Sequence, residues 1–265
     1  MAIRRLLRGQ LPEDDIEAVA REAAARQGSE FESVRELDSD NWLSIPCVVN
    51  EELFVKIITE QNAFVHALLT AGRNLGAFTS RSEGFFQRFE TPINMAEHDL
   101  EATRQIRELG INAPEPIEVF SYGEYGVLVL EFLHSFNTVE GLEDEAIEVI
   151  SPDIFASLST MHDAGLAHGD LRGENVLVVD GELYFIDATK VKDGALEDAR
   201  AYDIACALAA LQPHIGARTA VQAASEFYPD EDLLEAEAYL DFVNLRPDHD
   251  FDTLQMKGEI EKEVS

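Results

Sequence analysis

Apolar positions along this chain follow two rhythms that change over near residue 134. Before it, apolar runs of strand length dominate: residues 42–49, Leu53–Ile58, Val119–Tyr122 and Val127–Leu133. The last two flank Gly123-Glu124-Tyr125-Gly126 and predict a hairpin. Two stretches in this half repeat at helical spacing instead. Residues 11–28 open on Leu-Pro-Glu-Asp-Asp and stop at Gly28, where helix ends favour Pro and Gly. Residues 94–109 carry an apolar stripe along one face. After residue 134 the helical rhythm takes over in Ser151–Ala164, Arg200–Leu211 and Leu233–Val243, interrupted by one hairpin. The expected organisation is a helical extension over 1–40, a strand-rich part over 41–133, and a mainly helical part over 134–265 ending in an acidic tail. The fold class is α+β.

Two charges interrupt the apolar pattern of the first half. Lys56 sits inside the otherwise apolar strand Leu53–Ile58. Asp99 lies in the middle of the stripe formed by Met95, Ala96, Ala102, Thr103, Ile106 and Leu109, while Glu97, Glu101, Arg104 and Glu108 point away. A buried lysine and a buried carboxylate each need a partner, and the simplest solution is that they find each other. Asn94 as N-cap, with Glu97 three residues on, predicts the start of this helix.

The second half is organised around residues 166–189, LAHGDLRGENVLVVDGELYFIDAT. Val176–Val179 and Leu183–Ile186 read as strands joined across Asp180-Gly181, a strong tight-turn signal. Asn175 enters the first strand and Asp187 leaves the second, so antiparallel pairing returns them to the same end. Asp170 lies on the loop just before. Three oxygen-bearing side chains at one end of a hairpin suit a hard cation such as Mg²⁺ carrying a phosphate chain.

Composition adds one strong feature. There are 52 acidic residues against 20 basic ones, a formal charge of −32, spread along the whole chain. Such self-repulsion is screened by high salt, and we read it as a halophile's proteome-wide signature. It argues against a broad nucleic-acid-binding face. The chain has no apolar run of membrane-spanning length and only two cysteines, Cys47 and Cys206, so a cytoplasmic protein with reduced, buried thiols is expected. In residues 72–89, three arginines and four phenylalanines break the acidic trend. They suit either phenylalanines packed on the preceding sheet or a local RNA contact.

The spacing H-x-D-L-x-x-x-N, followed by a strand ending in Asp, resembles the catalytic-loop and metal-loop signature of the protein kinase superfamily. Within it the chain is similar to the RIO atypical kinases over roughly residues 50–210, a haloarchaeal member being the expectation. I-D-A-T follows the RIO habit rather than D-F-G. MAEHDLEATRQIRELGINAPEPI resembles the family's helix and its extended P-x-P exit, and no A-P-E-like motif separates Asp187 from Asp203. The resemblance implies a two-lobed, protein-kinase-like fold: an antiparallel N-lobe sheet with one helix, and a small helical C-lobe lacking the activation segment. It implies ATP and Mg²⁺ as cofactors, with Asp170 as catalytic aspartate and Asn175 and Asp187 as metal ligands. Lys56 and Asp99 would fix the ATP phosphates. Glu131, Phe132 and Leu133 would offer backbone groups to adenine, and Arg172 would stand in the place of the catalytic-loop lysine. Asp203 falls where kinases keep an acid that binds the catalytic-loop backbone. The resemblance further implies a serine/threonine protein kinase or an ATPase working through a phosphorylated Asp187, and the pre-ribosomal small subunit as partner.

Two departures and two alternatives stay open. No glycine lies between Gly28 and Lys56, so the phosphate-covering loop is remade, with Asp38-Ser39-Asp40-Asn41 as its turn. Asp99 is one methylene shorter than the family's usual glutamate. An aminoglycoside- or choline-type small-molecule phosphotransferase shares H-G-D-L-x-x-x-N, and a nucleotide-binding assembly factor without turnover shares the fold.

Overall fold

The computed structural model describes residues 11–37, 44–62, 91–188, 195–245 and 250–265. They form two units, one drawn from residues 11–37, 44–62, 91–105 and 114–134, the other from residues 106–113, 135–188, 195–245 and 250–265. Residues 38–41 and 72–89, singled out above as phosphate-loop turn and aromatic-basic segment, lie outside the described residues.

The first unit is an antiparallel sheet covered by a helix on each face. Its strands are β1 (Val34–Glu36), β2 (Ile45–Val49), β3 (Leu53–Ile58), β4 (Pro116–Tyr122) and β5 (Tyr125–Glu131), in the order β1-β2-β3-β5-β4. Strand periodicity sorts the side chains of β3 and β5. Leu53, Val55, Ile57, Val127 and Val129 pack with Ile16, Val19, Ala20, Ala23 and Ala24 of helix α1 (Glu13–Arg26). Ile58, Leu128 and Leu130 pack instead with Met95, Ala96 and Leu100 of helix α2 (Pro92–Glu108), with Phe54 against them. Helix α1 is therefore structural: Ile16, Val19, Ala20, Ala23 and Ala24 close the core on one face of this sheet. Its alanines let the helix lie close to the strands, and Arg26 fastens its end by an ion pair to Glu118 (2.7 Å) and by stacking over Phe120.

Helix α2 begins two residues before the expected cap. Thr91 Oγ1 accepts from Asn94 N–H (3.3 Å) and Thr91 O from Met95 N–H, so Thr91 is the N-cap and Asn94 lies inside the helix. Pro92 then occupies the first helical position, where its missing N–H costs nothing. The β4–β5 hairpin is also tighter than expected. Its turn is Gly123-Glu124, and Gly126 belongs to β5, paired with Ile58 and Ser121. A Cβ at Gly126 would stand 2.3 Å from Pro92 O, so this glycine serves close approach of the helix start rather than a turn.

The second unit holds strands β6 (Asn137–Thr138), β7 (Val176–Val179) and β8 (Glu182–Phe185), in sheet order β6-β7-β8. Around them run helices α3 (Asp144–Asp163), α4 (Leu196–Ser225), α5 (Asp230–Val243) and α6 (Thr253–Glu263). Helix α3 is longer than predicted because Pro152 is tolerated inside it: the Glu148 carbonyl that loses a backbone donor accepts Ser151 Oγ–H instead (2.9 Å). Helix α4 also outruns its predicted end. Gly216, at φ 77°, lets the chain kink and continue helically. From Ala199 to Leu211 nearly every residue of α4 is buried, so it is this unit's central helix, packed by α3, α5 and α6. Cys47 and Cys206 are both buried. Among the described residues no helix is long and apolar enough to cross a membrane.

Candidate active site

Helix α3 delivers the chain to the central loop through a left-handed cap. Gly165, at φ 80°, donates to His162 O (3.0 Å) and Leu166 N–H to Met161 O (2.9 Å), which satisfies two terminal carbonyls and turns the chain. The loop then passes through Gly169 (φ 77°) to Asp170 and into a short 3-10 turn, Gly173–Asn175. The hairpin forms as its turn residues dictate, with Asp180 (φ 52°) and Gly181 (φ 87°) both left-handed and Val176 opposite Phe185.

That register brings the three chemistry-bearing residues together. Ile186 N–H donates to Asn175 O (3.0 Å), which places Asp187 beside Asn175 at the open end of the hairpin. Asn175 Nδ2 donates to Asp170 O (2.8 Å), tying the loop to the strand that follows it. Asp187 itself has φ 62°, a left-handed conformation that Asp tolerates better than most residues. His168 locks the same segment from the other side: its Nε2 is 3.0 Å from Ile186 O, and Asp170 N–H points at its Nδ1 (3.4 Å). Burial holds the His168 imidazole below its ordinary pKa, against the nearby carboxylates of Asp203 and Asp170. A neutral ring donating from Nε2 and accepting at Nδ1 satisfies both contacts. Arg172 forms an ion pair with Glu174 and stands 3.5 Å from Asp170 Oδ2.

Asp203 anchors the loop from below. It is the eighth residue of α4, beyond the reach of the helix N-terminus, so simple helix-end stabilisation does not explain it. Its fully buried carboxylate accepts His168 N–H (2.6 Å) at Oδ2 and Gly169 N–H (2.7 Å) at Oδ1, and His162 Nε2 lies 3.2 Å from Oδ2. Tyr228 Oη in turn lies 2.8 Å from His162 Nδ1. Neither His162 nor Tyr228 was singled out from the sequence. His162 reads as an ordinary base in a helix's last turn, and Tyr228 stands far along the chain from the residue it supports.

In the first unit, Lys56 Nζ is 3.5 Å from Asp99 Oδ2, and the lysine is buried. Lys56 projects on the same face of β3 as Phe54 and Ile58, toward α2, as the buried-charge argument requires. Of Glu131, which ends β5, and the two residues that follow, two have committed amides: Glu131 N–H donates to Glu115 O (2.9 Å) and Phe132 N–H to Glu52 O (3.0 Å). Among the described residues Leu133 N–H has no backbone partner. Asn175 and Asp187 are an amide and a carboxylate, a donor set that fits Mg²⁺, which takes one or two protein oxygens and fills its shell with phosphate and water. Among the described residues there is no group of three or more His, Cys, Asp or Glu placed to hold a metal ion.

This arrangement, an antiparallel sheet with one helix-borne acid meeting a strand lysine and a helical unit carrying the Asp-Asn-Asp loop, defines a protein-kinase-like fold. The RIO domain pattern matches residues 77–211, just over half of the sequence, and the chain belongs to the RIO family. It is 30% identical over 87 residues to the KEOPS complex subunit Bud32 of Pyrococcus abyssi. That match spans 32% of this chain and 39% of the relative's length. Among solved structures, a protein assigned as a fructosamine-3-kinase from Haemophilus somnus 129PT superposes with a TM-score of 0.52 at 13% identity. The superposition covers 94% of this chain and 97% of that one, a likeness of fold alone.

Proposed function

We propose that the chain is an ATP- and Mg²⁺-dependent phosphotransferase that moves the γ-phosphoryl group of ATP to a serine or threonine hydroxyl of a protein, or to water by way of its own Asp187. The observation that carries this reading is the lashing of Asp170, Asn175 and Asp187 into one loop by Asn175 Nδ2–H···O=C Asp170 and Ile186 N–H···O=C Asn175. Phosphoryl transfer asks a protein mainly for positioning and charge neutralisation, which a preset loop of this kind supplies.

Each residue then has a role. Asp170 orients the attacking hydroxyl and receives its proton. Asn175 and Asp187 hold Mg²⁺, which when bound neutralises the phosphate chain. Arg172 balances charge on the group in transfer, and its ion pair with Glu174 keeps the guanidinium beside Asp170. Lys56, aligned by Asp99, binds the nucleotide phosphates. Leu133 N–H and the carbonyls flanking it serve adenine, since the Glu131 and Phe132 amides are already used. A protein substrate on the pre-ribosomal small subunit is the partner we propose from the family resemblance.

The test is the fate of the phosphate. With labelled ATP and Mg²⁺ in high salt, the reading predicts phosphate on protein, either on a hydroxyl or as an acid-labile aspartyl phosphate at Asp187. Transfer appearing only after a small hydroxylated acceptor is added would replace it with a small-molecule kinase. ATP binding with neither transfer nor hydrolysis would reduce the chain to a nucleotide-binding scaffold.

A further inference from the structure

Behind the central loop runs a chain of buried polar groups that starts well outside the segment matching the family. Tyr228 lies between α4 and α5, its amide on Ala224 O (3.0 Å) and its ring set edge-on against Phe155 with the Arg200 guanidinium 5.3 Å from its centroid. From there the contacts run from Tyr228 Oη to His162 Nδ1 (2.8 Å) and from His162 Nε2 to Asp203 Oδ2 (3.2 Å). Asp203 then receives the amides of His168 and Gly169. His162 and Asp203 are buried, and Tyr228 is 3% exposed, so water does not substitute for any member.

The ends of this chain constrain its direction. Asp203 can only accept, so the imidazole nitrogen facing it must carry a proton. A neutral imidazole with Nε2–H presents a lone pair at Nδ1, and Nδ1 then needs a donor. The phenol is that donor: burial and the Asp203 charge push Tyr228 far above its ordinary pKa, so it keeps its proton. The opposite tautomer would set an imidazole lone pair against a carboxylate and leave the phenol proton without an acceptor on His162.

We propose that Tyr228 is a positioning residue of the active site, which holds His162 in the Nε2–H tautomer and through it fixes the Asp203 carboxylate that orients the His168–Gly169 backbone and Asp170. This rests on the phosphotransferase reading only for its effect on rate. The tautomer and the loop amides can be observed without turnover.

The experiment compares ¹⁵N-labelled full-length wild type, Tyr228→Phe, His162→Gln and the double variant in high salt, by NMR and by ATP turnover. Wild type should show His162 protonated at Nε2 and unprotonated at Nδ1. Tyr228→Phe should make the His168 and Gly169 amides exchange about tenfold faster and lower kcat about tenfold, the size of effect that removing an orienting outer group commonly has. KM for ATP should stay within about twofold, because the nucleotide contacts are not touched. Gln donates from the Nε2 position with no tautomer to choose, so adding Tyr228→Phe to His162→Gln should change neither exchange nor kcat. The proposal is overturned if His162 carries its proton on Nδ1, if Tyr228→Phe leaves amide exchange unchanged, or if the tyrosine effect is equal in the His and Gln backgrounds. Should Tyr228→Phe fail to fold, the wild-type imidazole signature still decides. Wild type without turnover would sink the phosphotransferase reading alone, and the tautomer and amide exchange would continue to judge Tyr228.

Discussion

Replacing Asp203 is the sharpest perturbation of the loop, because the side chain touches no substrate. Asp203→Ala would strand three donors in a fully buried place: His168 N–H, Gly169 N–H and His162 Nε2–H. At about 1–3 kcal/mol for each unsatisfied group, the gross loss is roughly 3–9 kcal/mol. Relief from burying a carboxylate offsets part of it, leaving about 3–5 kcal/mol, the usual cost of removing one partner from a buried charged network. That is a large share of the roughly 5–15 kcal/mol by which domains are stable. Asp203→Asn keeps one acceptor oxygen but turns an NH₂ toward one of the two amides, so it should lose about 1–3 kcal/mol. Guanidinium unfolding in high salt, followed by far-UV circular dichroism, measures both. An Ala variant within about 1 kcal/mol of wild type would mean that Asp203 does not carry the loop and that the hydrogen-bond reasoning is wrong.

Three further expectations concern single contacts. Gly126→Ala would drive a Cβ to 2.3 Å from Pro92 O and should cost about 1–3 kcal/mol by overpacking, read from the same unfolding curves. Ala23→Glu would bury an unpaired carboxylate between α1 and the sheet, and loss of the cooperative transition is expected, whereas a merely appended helix would tolerate it. His168 is held neutral by burial, so the unfolded chain takes up a proton first as the solution is acidified. Its contribution is intact above about pH 6.5 and is lost as pH falls toward its lower folded value. A series of unfolding curves should therefore show stability falling below that point, with one proton less in the slope for His168→Gln.

Much of the fold was legible because the decisive signals were local. Asp180-Gly181 dictates a left-handed turn, and that tight turn between two apolar runs sets the register that joins Asn175 to Asp187. Lys56 and Asp99 stood out because charge on an apolar face demands a partner, and the structure sets them 3.5 Å apart. What escaped depended on tertiary context. Asn94 with Glu97 has capping-box spacing, yet Thr91 is the cap, because Pro92 takes the first helical position. Gly126 resembled a turn glycine because nothing in the sequence tells that a helix start approaches it. Helix α4 runs past its expected end at Leu211, through Pro213 and Gly216, because packing on α3, α5 and α6 carries the chain through. His162 and Tyr228 left no periodic trace, since a hydrogen-bonded chain through a core has no sequence spacing to betray it.

Asp170, held by Asn175 and backed by Asp203, is proposed to direct phosphoryl transfer from ATP. The most direct measurement is single-turnover transfer from γ-labelled ATP with Mg²⁺ in high salt, for wild type beside Asp170→Asn at equal nucleotide occupancy. Transfer or hydrolysis by wild type is expected, at a rate about 10²–10⁴-fold lower in the variant, as loss of a positioned general base implies, with ATP affinity unchanged. Equal rates in the two proteins would contradict it.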